Sequence, residues 1–265
     1  MISAPRSRAL IGFVTFAAAN FAVAAADQPV PRADANSQQA HAELVAKAQR
    51  GGIDLYFVGD SITRRWGTSD AAYADRLANW RANFFGWNAG NFGWGADRIE
   101  HILWRLENGE LDGVNPKVIV ILAGTNNVGT QPADDATIAD ITAGMKVLIA
   151  LCRKKAPAAK IILTAIFPRN GNDNPTVIPT IRRLNENFAR FADGKVVRFL
   201  DVNDRLADKD GLLFPGMMGD KLHPTVKGYQ VWADGLKPML TELLGPPAKT
   251  DHAPPPTGDP SARVK

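Results

Sequence analysis

Ser61 closes the tripeptide Gly59-Asp60-Ser61, directly after an apolar run, and His223 follows Asp220 by three residues in Asp220-Lys-Leu-His223-Pro224. A serine hydroxyl is a weak nucleophile until a base takes its proton, and the base must itself be oriented by a third group. Of the four histidines, His252 lies near the C-terminus, His41 in the N-terminal segment and His101 among hydrophobic neighbours. His223 stands just before a helical pattern, with Pro224 in a favoured first-turn position. Asp220 is close enough in sequence to reach back to its Nδ1. Each piece also has a purely structural reading. Ser61 is a good helix N-cap, and a histidine beside an aspartate at a helix start is often a cap.

Two further segments supply polar donors. One is Asn91-Phe-Gly93-Trp-Gly95-Ala96-Asp97 and the other is Gly124-Thr125-Asn126-Asn127. Glycine-bearing turns free backbone N–H groups, and an asparagine amide adds another, which together suit an oxyanion hole. Read singly, they are tight turns and an ordinary cap. Taken together, the four segments fill the roles of nucleophile, base, orienter and oxyanion donors.

The intervening sequence explains how such residues would meet. Candidate strands are Ile53–Val58, Phe85–Ala89, Lys117–Ala123, Lys160–Ile166 and Val196–Leu200. Residues 117–123 are almost continuously aliphatic, as in a strand covered on both faces. Helical stripes run through Ile99, Ile102, Leu103 and Leu106, through Ile138, Ile141, Met145, Leu148 and Cys152, and through Val226, Tyr229, Ala233, Leu236 and Leu240. The alternation predicts an α/β chain: parallel strands with right-handed crossovers in a three-layer α/β/α sandwich. Such sheets gather their sites at the carboxyl ends of the strands, where three of the four segments fall.

GDS near the N-terminus, a glycine-rich turn ending in Asp, G-T-N-N, and D-x-x-H-P near the C-terminus resemble, in order and spacing, the GDSL or SGNH hydrolase superfamily. NFGWGADRIEHILWRLENGELDGVNPKVIVILAGTNN is similar in particular to the catalytic subunits of the intracellular platelet-activating-factor acetylhydrolases. The resemblance spans Ile53 to Leu244. It implies a five-stranded, flavodoxin-like parallel sheet and a serine esterase. Ser61 would be the nucleophile and lend its backbone N–H, Asn126 its side-chain amide, Asp220 would orient and His223 act as base, while Asp60 buttresses the turn. The family's second backbone donor aligns with Ala96 in place of glycine. That N–H is retained if the local φ is negative, with Gly95 and Gly93 as fallback donors. Asn127 stands where the family usually has Asp. The resemblance also allows a homodimer.

Residues 1–26 read as a signal peptide. Arg6 and Arg8 precede an apolar, Ala-rich run that ends in Ala24-Ala25-Ala26 before Asp27. The rival reading, a retained anchor, has a run interrupted by Asn20 and barely long enough to span. Export to the periplasm or medium, with no stable membrane insertion after cleavage, is expected. Residues 27–36 read as a flexible lead-in, 37–244 as the hydrolase domain, and the Pro-rich 245–265 as a disordered tail. Cys152 is the one cysteine, so no internal disulfide forms, and its place on a helical stripe marks it as buried.

The net charge of +4 falls to about +2 without the leader, and no basic patch points to nucleic acid. There is no H-E-x-x-H and no cysteine pair, so neither a metal nor another cofactor is expected. The glycine spacing near Asp97 does not match a dinucleotide loop. Trp66, Arg169, Asn170, Phe214 and Met217, in loops after the strands, are expected to line the pocket with polar neighbours. That mixture favours a small-acyl esterase, acting on a small ester or on O-acetyl groups of carbohydrate. Two alternatives stand beside it: a lysophospholipase or lipase of the same superfamily, and a non-catalytic glycan-binding protein on the same fold.

Overall fold

The computed structural model describes residues 24–169 and 175–263. All but the last few residues of the leader, and Asn170 of the expected pocket loops, lie outside that range. Five parallel strands form one sheet in the order β2-β1-β3-β4-β5. They are β1 (Leu55–Gly59), β2 (Ala89–Gly93), β3 (Val118–Leu122), β4 (Lys160–Thr164) and β5 (Val197–Leu200). The α/β architecture is as expected from the alternating pattern.

Alternate side chains of each strand point to opposite faces and fill two cores. Tyr56, Val58, Ile119 and Ile121 join the core beneath α1 (Ala35–Gln49), α4 (Ile99–Arg105), α6 (Asp135–Lys155) and α7 (Ile178–Ala189). Leu55, Phe57, Val118 and Val120 join the other, beneath α2 (Ser61–Trp66), α3 (Ala74–Phe84) and α8 (Val226–Leu244). A short helix, α5 (Thr125–Val128), follows β3. Cys152 is buried, and burial pushes its thiol up to about 12.

The second core fixes the start of α2. Trp66 is fully buried and stacks on Tyr229 and Trp232, each at a centroid distance of 4.9 Å. The Tyr229 hydroxyl donates to the Ile62 carbonyl at 2.7 Å. Helix α2 has six residues and would not hold itself together in water, so these contacts with α8 set its position. Trp66 therefore belongs to the core, contrary to the expectation that it lines the pocket.

Three other expectations need correction. The second strand lies four residues later than Phe85–Ala89. Phe85 instead ends α3 and is exposed, while Gly86 and Asn88 turn the chain with positive φ. The apolar Phe-Phe-Gly-Trp run suggests a strand; the actual strand passes where side chains do not fit. A Cβ at Gly93 would stand 2.8 Å from the Asp60 carbonyl oxygen.

The lead-in is pinned to the domain. Val30 N–H donates to Glu100 O at 3.1 Å, Arg32 to Gly95 O at 3.0 Å, and α1 already begins at Ala35.

The tail, too, is laid along the surface as far as Arg263. Ala248 N–H donates to Gly86 O at 2.9 Å, Ser69 N–H to Thr257 O at 3.2 Å, and Asp259 pairs with Arg64 at 3.2 Å. Its composition lacks large apolar groups, but prolines reduce the entropy lost on ordering, and polar pairs supply the attachment.

Candidate active site

The β1–α2 turn presents Ser61. A Cβ at Gly59 would collide with the Leu122 carbonyl and the Thr63 side chain, so only glycine permits this turn. Asp60, not Ser61, is the N-cap: its Oδ1 accepts from Ile62 N–H at 2.8 Å. The serine side chain is thereby left free of capping, and its backbone N–H, in the first turn, has no acceptor within its own helix. Burial pushes Asp60 up to about 7; Asp97 adds to this and Arg169 opposes it.

The Ser61 hydroxyl instead meets His223, with Oγ 2.9 Å from Nε2. On the far side of the ring, Nδ1 lies 2.7 Å from Asp220 Oδ2. The other carboxylate oxygen accepts from His223 N–H at 2.8 Å and Leu222 N–H at 3.2 Å. One carboxylate thus holds both the backbone and the ring of His223. With Nδ1–H directed at Asp220, the tautomer leaves Nε2 as the acceptor of the serine proton.

Partial burial raises Asp220, but the His223 backbone and ring hydrogen bonds outweigh it and hold the carboxyl at about 2. Burial lowers the pKa of His223; Asp220 opposes this, while Arg65 and Arg76 reinforce it. The imidazole is therefore harder to protonate than a free one, which suits a general base.

Helix α8 starts slightly later than expected. Its N-cap is Thr225, whose side chain accepts from Gly228 N–H at 3.3 Å. Pro224 consequently lies before the helix, and its carbonyl accepts from Arg76 Nε at 3.4 Å.

Asn126 reaches the same end of the sheet from α5. Its Nδ2 donates one proton to Asp97 O at 2.8 Å, and an amide carries a second. Neighbouring Asn127 is committed elsewhere. It accepts from Ile99 N–H at 3.0 Å and donates to Glu100 Oε2 at 2.9 Å, tying the β3 loop to α4.

Ala96 does not meet the condition of a negative φ: its φ is +59°, in the left-handed region. Its Cβ is seated there where glycine is at ease. Gly93 drops out as a fallback, because its N–H already donates to Asn91 Oδ1 at 2.9 Å. Ala96 and Gly95 remain.

Two cationic supports are not apparent from sequence. Buried Arg105 donates to Asp97 Oδ2 at 2.6 Å, Phe92 O at 3.1 Å and Gly59 O at 3.4 Å, and also pairs with Glu110. It joins the serine turn to the glycine-rich turn from below. Arg65 pairs with Asp220 at 3.3 Å, and both Arg65 and Arg76 lie over the Tyr73 ring, at 5.3 and 5.0 Å.

The three remaining histidines serve elsewhere: His41 pairs with Glu110 at 2.8 Å, His101 accepts from Arg98 N–H at 3.1 Å, and the His252 N–H donates to Asn88 Oδ1 at 2.7 Å. Among the described residues, no group of three or more His, Cys, Asp or Glu side chains could hold a metal ion.

Residues 57–231 match the GDSL-like lipase/acylhydrolase family. The chain belongs to that family. It is 31% identical over 224 residues to platelet-activating factor acetylhydrolase IB subunit alpha1 of Bos taurus, covering 83% of this chain and 90% of that protein. It is 30% identical over 196 residues to the alpha2 subunit of Rattus norvegicus, covering 72% and 77%. Among solved structures, a GDSL-like lipase from Bacteroides thetaiotaomicron superposes with a TM-score of 0.57 at 20% identity, covering 78% of this chain and 98% of that one. An acetyl-xylooligosaccharide esterase from Geobacillus superposes at 0.55 with 19% identity, covering 76% and 98%. The structural likenesses establish the SGNH hydrolase fold, and the family establishes the chain as an ester hydrolase.

Of the other expected pocket residues, Met217 is buried and packs into the second core. Arg169 is buried, with its guanidinium on the Thr125 and Gly129 carbonyls. Phe214 does line a cleft of about 700 Å³, together with Pro168, Phe199, Asp201 and Asn203. That cleft runs along α7 and β5 to the loops that follow β4 and β5, and none of Ser61, Asn126 and His223 lines it.

Proposed function

We propose that the protein is an exported serine esterase that removes short acyl groups, acetyl above all, from a polar alcohol such as a carbohydrate. The observation that carries the mechanism is the unbroken line from Asp220 through His223 to Ser61, with 2.7 and 2.9 Å links.

His223 Nε2 takes the Ser61 proton as Oγ attacks the ester carbonyl. The oxyanion accepts from the N–H groups of Ser61 and Ala96 and from the Asn126 amide. Such donors are each worth roughly 3–4 kcal/mol in related chemistry. The imidazolium, stabilised by Asp220, gives its proton to the departing alcohol. A water, deprotonated by the same nitrogen, then attacks the acyl-enzyme. The released acid leaves Ser61 protonated again.

One line of support bears on the substrate. The relatives named above are an acetylhydrolase and, more remotely, an acetyl-xylooligosaccharide esterase, both named for removing acetyl groups. Export is supported by the basic, then Ala-rich, leader.

The test is hydrolysis of p-nitrophenyl acetate, butyrate and octanoate, beside acetate release from acetylated xylo-oligosaccharides. Activity falling steeply from acetate to octanoate is expected, with release from the oligosaccharide. A maximum at octanoate would replace this reading with a lipase. No hydrolysis, with retained glycan binding, would replace it with a binding protein.

A further inference from the structure

We infer that the leader is cut between Ala25 and Ala26, and that the α-ammonium released on Ala26 docks as an ion pair on the Asp140 carboxylate. The inference rests on the export reading above and is independent of the ester chemistry.

Sequence alone leaves the cut open by a residue either way. Cleavage after Ala24, Ala25 or Ala26 places Ala22 and Ala24, Val23 and Ala25, or Ala24 and Ala26 at the two recognition positions. All are small or short aliphatic, as the cleavage pattern requires.

The folded domain distinguishes these frames. Ala26 is 0% exposed, whereas Ala25 is exposed. Its seat is a gap on α6 where Gly144 has no side chain. A Cβ at position 144 would stand 2.6 Å from the Ala26 carbonyl oxygen and 2.8 Å from its Cβ. Cutting after Ala26 would empty that seat and expose the apolar surface around it. Cutting after Ala24 would leave an extra exposed residue and bury no new group.

Charge points to the same bond. The nitrogen of Ala26 lies 3.0 Å from Asp140 Oδ1 and 3.2 Å from Oδ2. Asp140 and Gly144 are one turn apart on α6, so acceptor and seat form a single feature. Among the described residues no basic side chain pairs with Asp140. A peptide N–H offers this carboxylate one proton and no net charge. An ammonium offers three donors and a full positive charge at the same place. Hydrolysis adds water across the Ala25–Ala26 peptide, giving a carboxylate on the departing leader and an amine that takes a proton. Departure of the leader breaks the Gln28 N–H to Ala25 O bond of 3.0 Å, a turn bond at the surface.

The experiment uses the full chain expressed with its leader in an exporting bacterium. Intact mass of the exported protein is expected to correspond to residues 26–265. A chain beginning at Ala25 or Asp27, or one retaining the leader, overturns the inference. A second measurement tests the ion pair itself, through melting midpoints of the exported protein and its Asp140→Asn variant from pH 6 to 10. Asparagine keeps an acceptor oxygen, so the fold survives. A carboxylate partner raises the folded pKa of the amine above its free value of about 7.7–8.0. The stabilisation is therefore full below that value and lost as pH rises through the folded pKa. The variant should melt about 2–4 °C lower at pH 6, with the gap closing at high pH. A gap that stays constant, or none at any pH, would contradict the docking. Both readouts are indifferent to the role of Ser61.

Discussion

Arg65 and His223 share one oxygen: Asp220 Oδ2 lies 3.3 Å from Arg65 Nη1 and 2.7 Å from His223 Nδ1. The Asp220 carboxylate is thus held from two sides, although 53% of its side-chain surface faces water. Arg65 is one turn past Ser61 on α2, so Ser61, Asp220 and His223 are linked through a single short helix.

That link predicts a pH effect. Burial is the main reason that His223 resists protonation, and the Arg65 charge adds to it. In Arg65→Gln the charge is lost, imidazolium becomes easier to form, and the acid limb of kcat/KM moves to higher pH. Arg65→Lys should restore the limb. If Arg65 only held the turn in place, Arg65→Gln would lower the rate at all pH values without moving the limb.

Stability should follow Asp220 in the opposite direction. Its folded carboxyl is held at about 2, below the ordinary value of 3.8. The stabilising contribution is therefore complete above pH 4 and lost as pH falls toward 2. The melting difference between the protein and Asp220→Asn should narrow over that interval. Activity of Asp220→Asn at neutral pH should drop on the order of 10³-fold or more, because the tautomer is no longer fixed.

The adjacent asparagines should separate catalysis from folding. Asn126→Ala removes a proposed oxyanion donor and should lower kcat by about 10²–10³-fold with a modest change in stability. Asn127→Ala strands the buried Ile99 N–H and the Glu100 carboxylate, and should cost about 1–3 kcal/mol on denaturant unfolding.

At Ala96 the backbone itself is testable. A left-handed alanine costs about 1 kcal/mol or more. Ala96→Gly should therefore retain activity and melt no lower than the parent. Ala96→Val should lose both stability and turnover, since a β-branched side chain tolerates that φ least.

The residues legible in the sequence are those whose chemistry needs a particular type at a particular place. Gly59, Ser61, Asn126, Asp220 and His223 stand at or near strand ends and helix starts, and the topology brings their segments to one end of the sheet. β3 is equally plain, because a strand buried on both faces is aliphatic throughout. β2 is not, because its glycines answer to the neighbouring turn at Asp60, and that contact is invisible in a local pattern.

Arg105 and Arg65 illustrate another limit. A charged residue in a helical segment ordinarily marks a solvated face. Here Arg105 is buried by carbonyls and carboxylates from three separate segments, and Arg65 lies over Tyr73 against a loop far along the chain. The C-terminal segment departs from expectation for a related reason: its attachments are polar and long-range, whereas composition reports only how much apolar surface it could bury.

The proposed chemistry stands or falls on Ser61 as the group acylated by substrate, with His223 as its base. Trapping with diethyl p-nitrophenyl phosphate, followed by intact mass and peptide mapping, addresses this without intermediate steps. One diethylphosphoryl adduct is expected, on Ser61, forming in step with loss of esterase activity and at least 10²-fold more slowly in His223→Ala. An adduct on another residue, or full esterase activity in Ser61→Ala, would overturn the assignment.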